Sequence, residues 1–244
     1  MTRHLLVIGG QRCGTTYLAA LLDSHPDITM ARPSQPEPKV FVSDELTARG
    51  LDWYRATYFS HAASEQLLGD KSTSYLDVPQ AAARAASMLG RAEIVVQLRD
   101  PVARAVSNWR FSKENGLESR PLAQALEDNL EGALPWDPTA TSVSPFAYLE
   151  RGRYVDHLEA WFASFPDSVH VTFLHDDLEQ SSIGSLYAAL AVDAEHRPTG
   201  LSDVVNASEG EPPPLGAELE ARLRDYFRDS DERLQAWLGR DVPW

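Results

Sequence analysis

The sequence predicts an α/β fold in which a central parallel sheet is flanked by helices. Apolar runs of strand length alternate with longer segments whose apolar residues recur at helical spacing. A glycine turn follows the first apolar run and leads directly into a helical segment. Alternation of this kind favours parallel strands, because each return to the same edge of the sheet needs a crossover. We find no internal repeat and no second domain, and expect a single domain over residues 1–244.

Four apolar runs are predicted to be strands. They lie near residues 5–8, 67–70, 93–98 and 169–174. The third run is expected to be the central strand, and the fourth is expected to be buried. Ligands of parallel sheets bind beyond the carboxyl ends of the strands. This rule brings together residues 9–16, 70–75 and 99–107.

Eight segments are predicted to be helical, and the loops between them are rich in proline and polar residues. The helices are expected near residues 15–23, 51–58, 77–89, 101–110, 121–131, 154–165, 181–190 and 215–238. Residues 30–39 hold three prolines and are predicted to be a loop. The proline-rich loop 132–145 is expected to act as a lid, and residues 206–210 to close over a ligand.

Composition excludes some classes of partner. Lys and Arg total 22 against 36 Asp and Glu, so the net charge is −14. Such a chain is poorly suited to bind nucleic acid or an anionic membrane. The first apolar run stops at Gly9, and no run is long enough to span a bilayer. Cys13 is the one cysteine, so no intrachain disulfide forms. We therefore expect a cytoplasmic protein.

The glycine turn is the first candidate site. A strand, a glycine loop and a helix start present free backbone N–H groups and a positive dipole end to a phosphate. Arg12 adds a positive charge, and Thr15 and Thr16 add hydroxyl donors. The usual nucleotide loop has a lysine after its last glycine, but Thr15 follows Gly14 here. The alternative is a tight turn that only packs a helix on the sheet.

A second anion site is predicted where the run 93–98 ends. Arg99 follows this strand, and Ser107 lies two turns into the next helix. An arginine and a serine in this arrangement can hold a second phosphate, although Arg99 could instead pair with Asp100. Magnesium-dependent enzymes place an acidic residue at such a strand tip, whereas this strand ends in Gln97-Leu98-Arg99 and has no aspartate there. We expect a cationic site without a metal.

Together these segments resemble the sulfotransferases that use 3′-phosphoadenosine 5′-phosphosulfate (PAPS), and among them the heparan-sulfate-type branch and its bacterial relatives. Residues 9–16 resemble the family's 5′-phosphosulfate loop, and residues 99–109 resemble its 3′-phosphate motif. Three more segments resemble motifs of that branch, in the same order along the chain: 37–41, 70–75 and 151–166. The resemblance implies a P-loop-like sulfotransferase fold for the whole chain.

The resemblance also implies roles for the matched residues. Those expected to bind the donor PAPS, and its product 3′-phosphoadenosine 5′-phosphate (PAP), are Arg12, Cys13, Gly14, Thr15, Thr16, Arg99 and Ser107. Glu37 matches the base that deprotonates the acceptor hydroxyl, and Lys71 matches a lysine near the transferred sulfuryl group. Arg12 replaces the usual loop lysine, so its catalytic role is expected to be electrostatic.

Four alternatives remain at this point, two for single residues and two for the whole chain. Glu37 could be a loop carboxylate paired with Lys39, and Lys71 could form a surface ion pair with Asp70. The chain could be an ATP-using, kinase-like protein, or a nucleotide-binding protein without catalysis. The chain has no run of basic residues to hold an extended polysaccharide. We therefore expect the acceptor to be a small molecule or a glycoside.

Overall fold

The computed structural model describes residues 2–135, 146–174, 180–198 and 213–244. The chain divides into two compact units. Residues 1–98 and 159–206 contribute to one, here called the sheet unit, and residues 99–158 and 207–244 to the other, the helical unit. Most of the predicted lid, and all of the loop 206–210, lie outside the described residues.

The sheet unit contains a five-stranded parallel sheet. Its strands are β1 (Arg3–Gly9), β2 (Ile28–Met30), β3 (Leu67–Lys71), β4 (Ala92–Leu98) and β5 (Val169–Phe173). The strand order is β2-β3-β1-β4-β5, and every neighbouring pair is parallel. The predicted α/β class with a parallel sheet flanked by helices is therefore confirmed. Strand β2 was not predicted, because three residues are too few to show a period.

Two predictions about strand position were wrong. The middle strand is β1, not β4, and β5 lies at one edge. All five residues of β5 are partly exposed, whereas β1 is buried from His4 to Gly9. An edge strand has a neighbour on one side only, so an apolar composition does not guarantee burial.

The described residues form nine α-helices, and all of them except the short helix Asp44–Thr47 overlap a segment predicted to be helical. They are α1 (Thr15–Asp23), α2 (Asp44–Thr47), α3 (Gly50–Tyr58), α4 (Ala81–Leu89), α5 (Pro101–Glu114), α6 (Leu122–Leu130), α7 (Tyr154–Ser164), α8 (Gln180–Ala189) and α9 (Ala217–Leu238). The largest differences are in two helices. Helix α4 begins four residues later than expected because residues 76–80 are mostly turns, and α5 ends four residues later than expected, at Glu114. Gly239 ends α9 with a φ of 66°, a left-handed conformation that suits glycine.

Each unit has its own apolar core. In the sheet unit, Leu5, Val7, Leu18, Leu21, Leu22, Ile28, Met30, Leu67, Val95, Ile183, Leu186, Tyr187 and Leu190 form a buried cluster. In the helical unit, the corresponding cluster is Val102, Ala105, Trp109, Leu122, Ala125, Leu126, Tyr148, Leu149, Leu219, Leu223 and Phe227. The first cluster fixes α1 against the sheet, and so fixes the position of the loop that precedes this helix.

Candidate active site

Strand register brings two of the predicted site segments to one edge of the sheet. Val7 of β1 pairs with Lys71 of β3, and the backbone N–H of Ser72 donates to the carbonyl of Val7 at 3.1 Å. Leu76 N–H then donates to the carbonyl of Ile8 at 3.0 Å. The segment that follows Lys71 therefore runs beside the start of the glycine loop.

The glycine loop is held by backbone hydrogen bonds and by two left-handed residues. Gly10 N–H donates to the carbonyl of Gln97 at 2.7 Å, and Cys13 N–H donates to the carbonyl of Gly10 at 3.3 Å. Arg12 has a φ of 64° and Gly14 a φ of 76°. A β-carbon on Gly14 would meet a side-chain carbon of Leu174 at 3.0 Å, so both conformation and space favour glycine there.

The loop ends at the N-terminus of α1, where the N-cap residue is a glycine and has no side chain to cap the helix. Gly14 is the N-cap of α1, and the first turn contains no acidic residue. The first N–H groups of a helix have no partner within the helix, and the helix dipole is positive at this end. Thr15 is buried and Thr16 is partly exposed beside them. This arrangement can bind the phosphate or sulfate oxygens of a ligand.

Glu37 and Lys71 form an ion pair at the same edge. The Lys71 Nζ donates to the Glu37 Oε1 at 2.8 Å, and the two side chains are only 9% and 12% exposed. Lys71 is the last residue of β3, and Glu37 lies in the proline-rich loop after β2. Thus a carboxylate and an ammonium group, 34 residues apart in sequence, meet beside β1, the strand that leads into the glycine loop.

Thr73 orients the Glu37 carboxylate. Its backbone N–H donates to Oε2 at 3.1 Å, and its hydroxyl lies 3.3 Å from each carboxylate oxygen. Both alternatives considered for this pair are therefore wrong. In the described part of the chain, the ion pair of Glu37 is with Lys71 and not with Lys39, and Asp70 is not the partner of Lys71.

Asp70 is instead a buried acceptor that organises the segments on either side. The hydroxyls of Tyr54 and Tyr75 donate to its Oδ2 at 2.9 and 2.7 Å, and the Ser72 hydroxyl donates to its Oδ1 at 2.7 Å. Ser72 Oγ in turn accepts the backbone N–H of Lys39 at 2.9 Å. Burial raises the pKa of Asp70 to about 6, against the opposing effect of the three hydroxyls. Asp70 thus fixes the loop that carries Glu37.

We predict a pH-dependent stability difference between the wild type and Asp70→Asn. The folded-state pKa of Asp70 lies about two units above its unfolded value, so folding favours the protonated carboxyl. Its contribution to stability is complete below about pH 4 and is lost as the pH rises through 6. The free energy of unfolding of the wild type, relative to the non-titrating Asn variant, should fall by about 3 kcal/mol between pH 4 and pH 7. Urea unfolding at several pH values measures this difference.

Tyr54→Phe provides the matched control for this prediction. It removes one of the hydrogen bonds that lower the pKa of Asp70, so the midpoint of the pH-dependent change should move to higher pH. A difference between the wild type and Asp70→Asn that does not vary with pH would contradict the raised pKa.

Arg99 and Ser107 lie in the helical unit. Arg99 directly precedes Asp100, the N-cap of α5, and Ser107 lies in the second turn of that helix. Both residues are partly exposed, and the Arg99 carbonyl accepts the Tyr154 hydroxyl at 2.7 Å. Asp100 caps α5 through the N–H groups of Val102 and Ala103 at 2.8 and 3.3 Å.

The cation that binds the Asp100 carboxylate is Arg224. The Arg224 guanidinium binds both of its carboxylate oxygens, at 2.8 and 2.7 Å. Among the described residues, Asp100 therefore forms its bidentate ion pair with Arg224. The sequence alone also allowed a pair between Asp100 and Arg99 instead.

Sequence reasoning missed Thr73 and the hydroxyl network of Asp70. Thr73 and Tyr75 stand in the segment that resembles a family motif, but the pattern gave no role for either residue. One signal was present, because Asp70 is a charged residue that follows the apolar residues Leu67 and Leu68 and then Gly69 within β3. A buried charge in such a position requires several hydrogen-bond donors.

In the part of the chain that the structure describes, no helix is long and apolar enough to cross a membrane. Over the same ranges, no group of three or more His, Cys, Asp and Glu side chains is arranged to hold a metal ion. The expectation that the reaction needs no metal stays a prediction.

The family profile described as "Sulfotransferase domain" matches residues 2–185. The chain is 32% identical over 168 residues to bifunctional heparan sulfate N-deacetylase/N-sulfotransferase 1 of Caenorhabditis briggsae, covering 66% of this chain and 19% of that protein. It is 25% identical over 264 residues to heparan sulfate glucosamine 3-O-sulfotransferase 3B1 of Mus musculus, covering 98% and 64%. The chain thus spans less than two thirds of each of these relatives.

A solved structure shares the fold. The sulfotransferase from Alicyclobacillus acidocaldarius matches with a TM-score of 0.76 and 23% identity, over 99% of this chain and 98% of that chain. Since the family profile covers most of the sheet unit and much of the helical unit, the chain belongs to the sulfotransferase family, and its matched residues form an enzyme domain of the sulfuryl-transfer class.

Proposed function

We propose that the protein transfers a sulfuryl group from PAPS to a hydroxyl of a small-molecule or carbohydrate acceptor. The observation that carries the proposal is the Glu37–Lys71 pair at 2.8 Å, which lies at the same sheet edge as the uncapped N-terminus of α1. A base, a cation and an anion-binding helix end are the groups that such a transfer uses.

In the proposed reaction the acceptor oxygen bonds to sulfur as the bond from sulfur to the bridging phosphate oxygen breaks. PAP leaves with the electron pair of that bond, and Glu37 takes the proton of the acceptor hydroxyl. Thr73 keeps the carboxylate in one orientation through its N–H and hydroxyl. Lys71 offsets the negative charge that grows on the sulfuryl and bridging oxygens.

Donor binding is assigned to two groups of residues. We propose that Arg12, Cys13, Gly14, Thr15 and Thr16 hold the 5′-phosphosulfate, mainly through the backbone N–H groups at the start of α1. For the 3′-phosphate we propose Arg99 and Ser107, because residues 99–109 resemble the family's motif for that group. The buried Cys13 side chain supports the shape of the loop, and its N–H already donates to Gly10.

Calorimetry with PAP, ADP and ATP, each with and without magnesium, tests the donor. We expect PAP to bind without magnesium and more tightly than either adenine nucleotide, because the loop has no lysine after Gly14 and β4 ends without a carboxylate. A preference for ATP with magnesium would overturn the proposal and support a kinase-like protein. PAP binding without sulfuryl transfer to any acceptor would support a non-catalytic nucleotide-binding protein.

The acceptor class follows from charge and from the relatives. Both curated relatives are named for heparan sulfate, which supports a carbohydrate acceptor. The net charge of −14 disfavours a long anionic polymer and favours a small glycoside. Transfer of radiolabelled sulfate from PAPS to neutral glycosides and to desulfated heparan fragments, compared side by side, distinguishes these acceptors.

A further inference from the structure

Gln97 occupies a fully buried position beneath the glycine loop. It lies near the end of β4, and its carbonyl accepts the N–H of Gly10 at 2.7 Å. Its side chain lies on the same face of the strand as Val95, which packs in the core cluster with α1. The Nε2 atom is 3.5 Å from the point where a β-carbon on Gly14 would lie. The amide therefore approaches the first turn of α1 from the sheet side.

This amide has no hydrogen-bond partner within the described ranges. Gln97 is 0% exposed, and both Nε2 and Oε1 are buried without a partner there. Buried side-chain amides are nearly always hydrogen-bonded, because desolvation without a partner is costly. Asp70, another buried polar residue of the sheet, follows this rule, with three donors. An amide kept without a partner beside an anion-binding helix end points to a ligand that supplies one.

The position of Gln97 in the sheet suggests which ligand. Magnesium-dependent nucleotide enzymes carry an acidic residue at the end of a strand beside the phosphate loop, where it helps to hold the metal. Here the neighbouring strand runs Ile94–Val95–Val96 and then presents a neutral amide. A carboxylate at this point would repel an anion bound without a metal, whereas an amide N–H can donate to it.

We propose that Gln97 is a donor-recognition residue whose side-chain N–H donates to the 5′-anionic group of the sulfuryl donor. The proposal rests on the proposed function, because it takes the glycine loop to be the site of that group. It adds a residue of β4 to the loop and helix that hold the anion. In this proposal, the absence of a negative charge on the side chain at position 97 is one reason why the loop binds an anion without magnesium.

The test compares two ligands on Gln97→Met. Methionine keeps the length of the side chain but offers no N–H. We expect affinity for PAP to fall by about tenfold or more, the usual effect of losing a hydrogen bond to a charged group. Affinity for adenosine 3′-monophosphate, which has no 5′-phosphate, should not change. Gln97→Glu should lose more PAP affinity than Gln97→Met, because it places a negative charge beside the bound anion.

Stability measurements and a control variant complete the test. Because the ligand-free amide has no partner, Gln97→Met should not lower the melting temperature, and Gln97→Leu serves as a second apolar variant. Ser230→Ala removes a different buried polar group, a hydroxyl that also has no partner in the described residues, and should leave both affinities unchanged. Equal PAP affinity in the wild type and Gln97→Met would overturn the role of Gln97 alone. No PAP binding by the wild type would overturn the proposed function and this inference together.

Discussion

Replacing Glu37 with Gln is expected to lower kcat by about two to four powers of ten, the usual contribution of a positioned base. Glutamine keeps the size of the side chain and can still accept the N–H of Thr73, but it cannot take a proton. Affinity for PAP should not change, because Glu37 is assigned to the acceptor and not to the nucleotide. Steady-state sulfuryl transfer and PAP calorimetry on the same preparation measure the two effects.

Glu45→Gln is the matched control, since Glu45 lies in the same unit and its side chain is 84% exposed. It should leave kcat unchanged. The pH profile separates a catalytic from a structural role, because loss of the base removes the acidic limb of kcat/KM, whereas a distorted site lowers the whole profile. Wild-type turnover in Glu37→Gln would show that another group is the base.

Much of this fold could be predicted because its signals are local. The strand–glycine–helix segment is set by a run of apolar residues, a glycine that tolerates a positive φ, and the helical spacing of Leu18, Leu21 and Leu22. The boundaries of α1 agree with the expectation to the residue. The partial exposure of β5 could not be predicted in this way. It follows from the position of β5 at the sheet edge, and strand order depends on crossovers and not on strand composition.

The candidate site was predictable in its residues but not in its contacts. Glu37 and Lys71 were selected from motifs, but each was given a neighbour in sequence as its alternative partner. The actual partners are 34 residues apart, and they meet because the loop after β2 is held against the end of β3. The Tyr54 hydroxyl likewise donates to Asp70, which lies 16 residues away in the sequence. Such contacts depend on tertiary packing, which no periodicity in the sequence encodes.

Replacing Lys71 with Met should lower kcat by about 10²–10³, the usual cost of removing one group that stabilises charge in a transition state. The loss has two physical parts. The developing charge on the sulfuryl oxygens loses its cation, and the Glu37 carboxylate, only 12% exposed, loses its ion-pair partner. Lys71→Arg keeps the charge and should recover part of the rate. Single-turnover sulfuryl transfer at saturating PAPS measures the chemical step directly.

The double variant Glu37→Gln, Lys71→Met decides whether the two residues act as a unit. If Lys71 acts mainly by holding Glu37 in place, the double variant should be little slower than Glu37→Gln alone, because residues that act together give non-additive losses. If Lys71 instead stabilises the sulfuryl group independently, the two losses should multiply. Our mechanism assigns Lys71 mainly to the transferred group, so we expect the double variant to be clearly slower than Glu37→Gln alone. Its loss should be smaller than the full product of the two single losses, because part of the Lys71 effect acts through Glu37. A double variant no slower than Glu37→Gln would contradict that assignment and reduce Lys71 to a positioning residue.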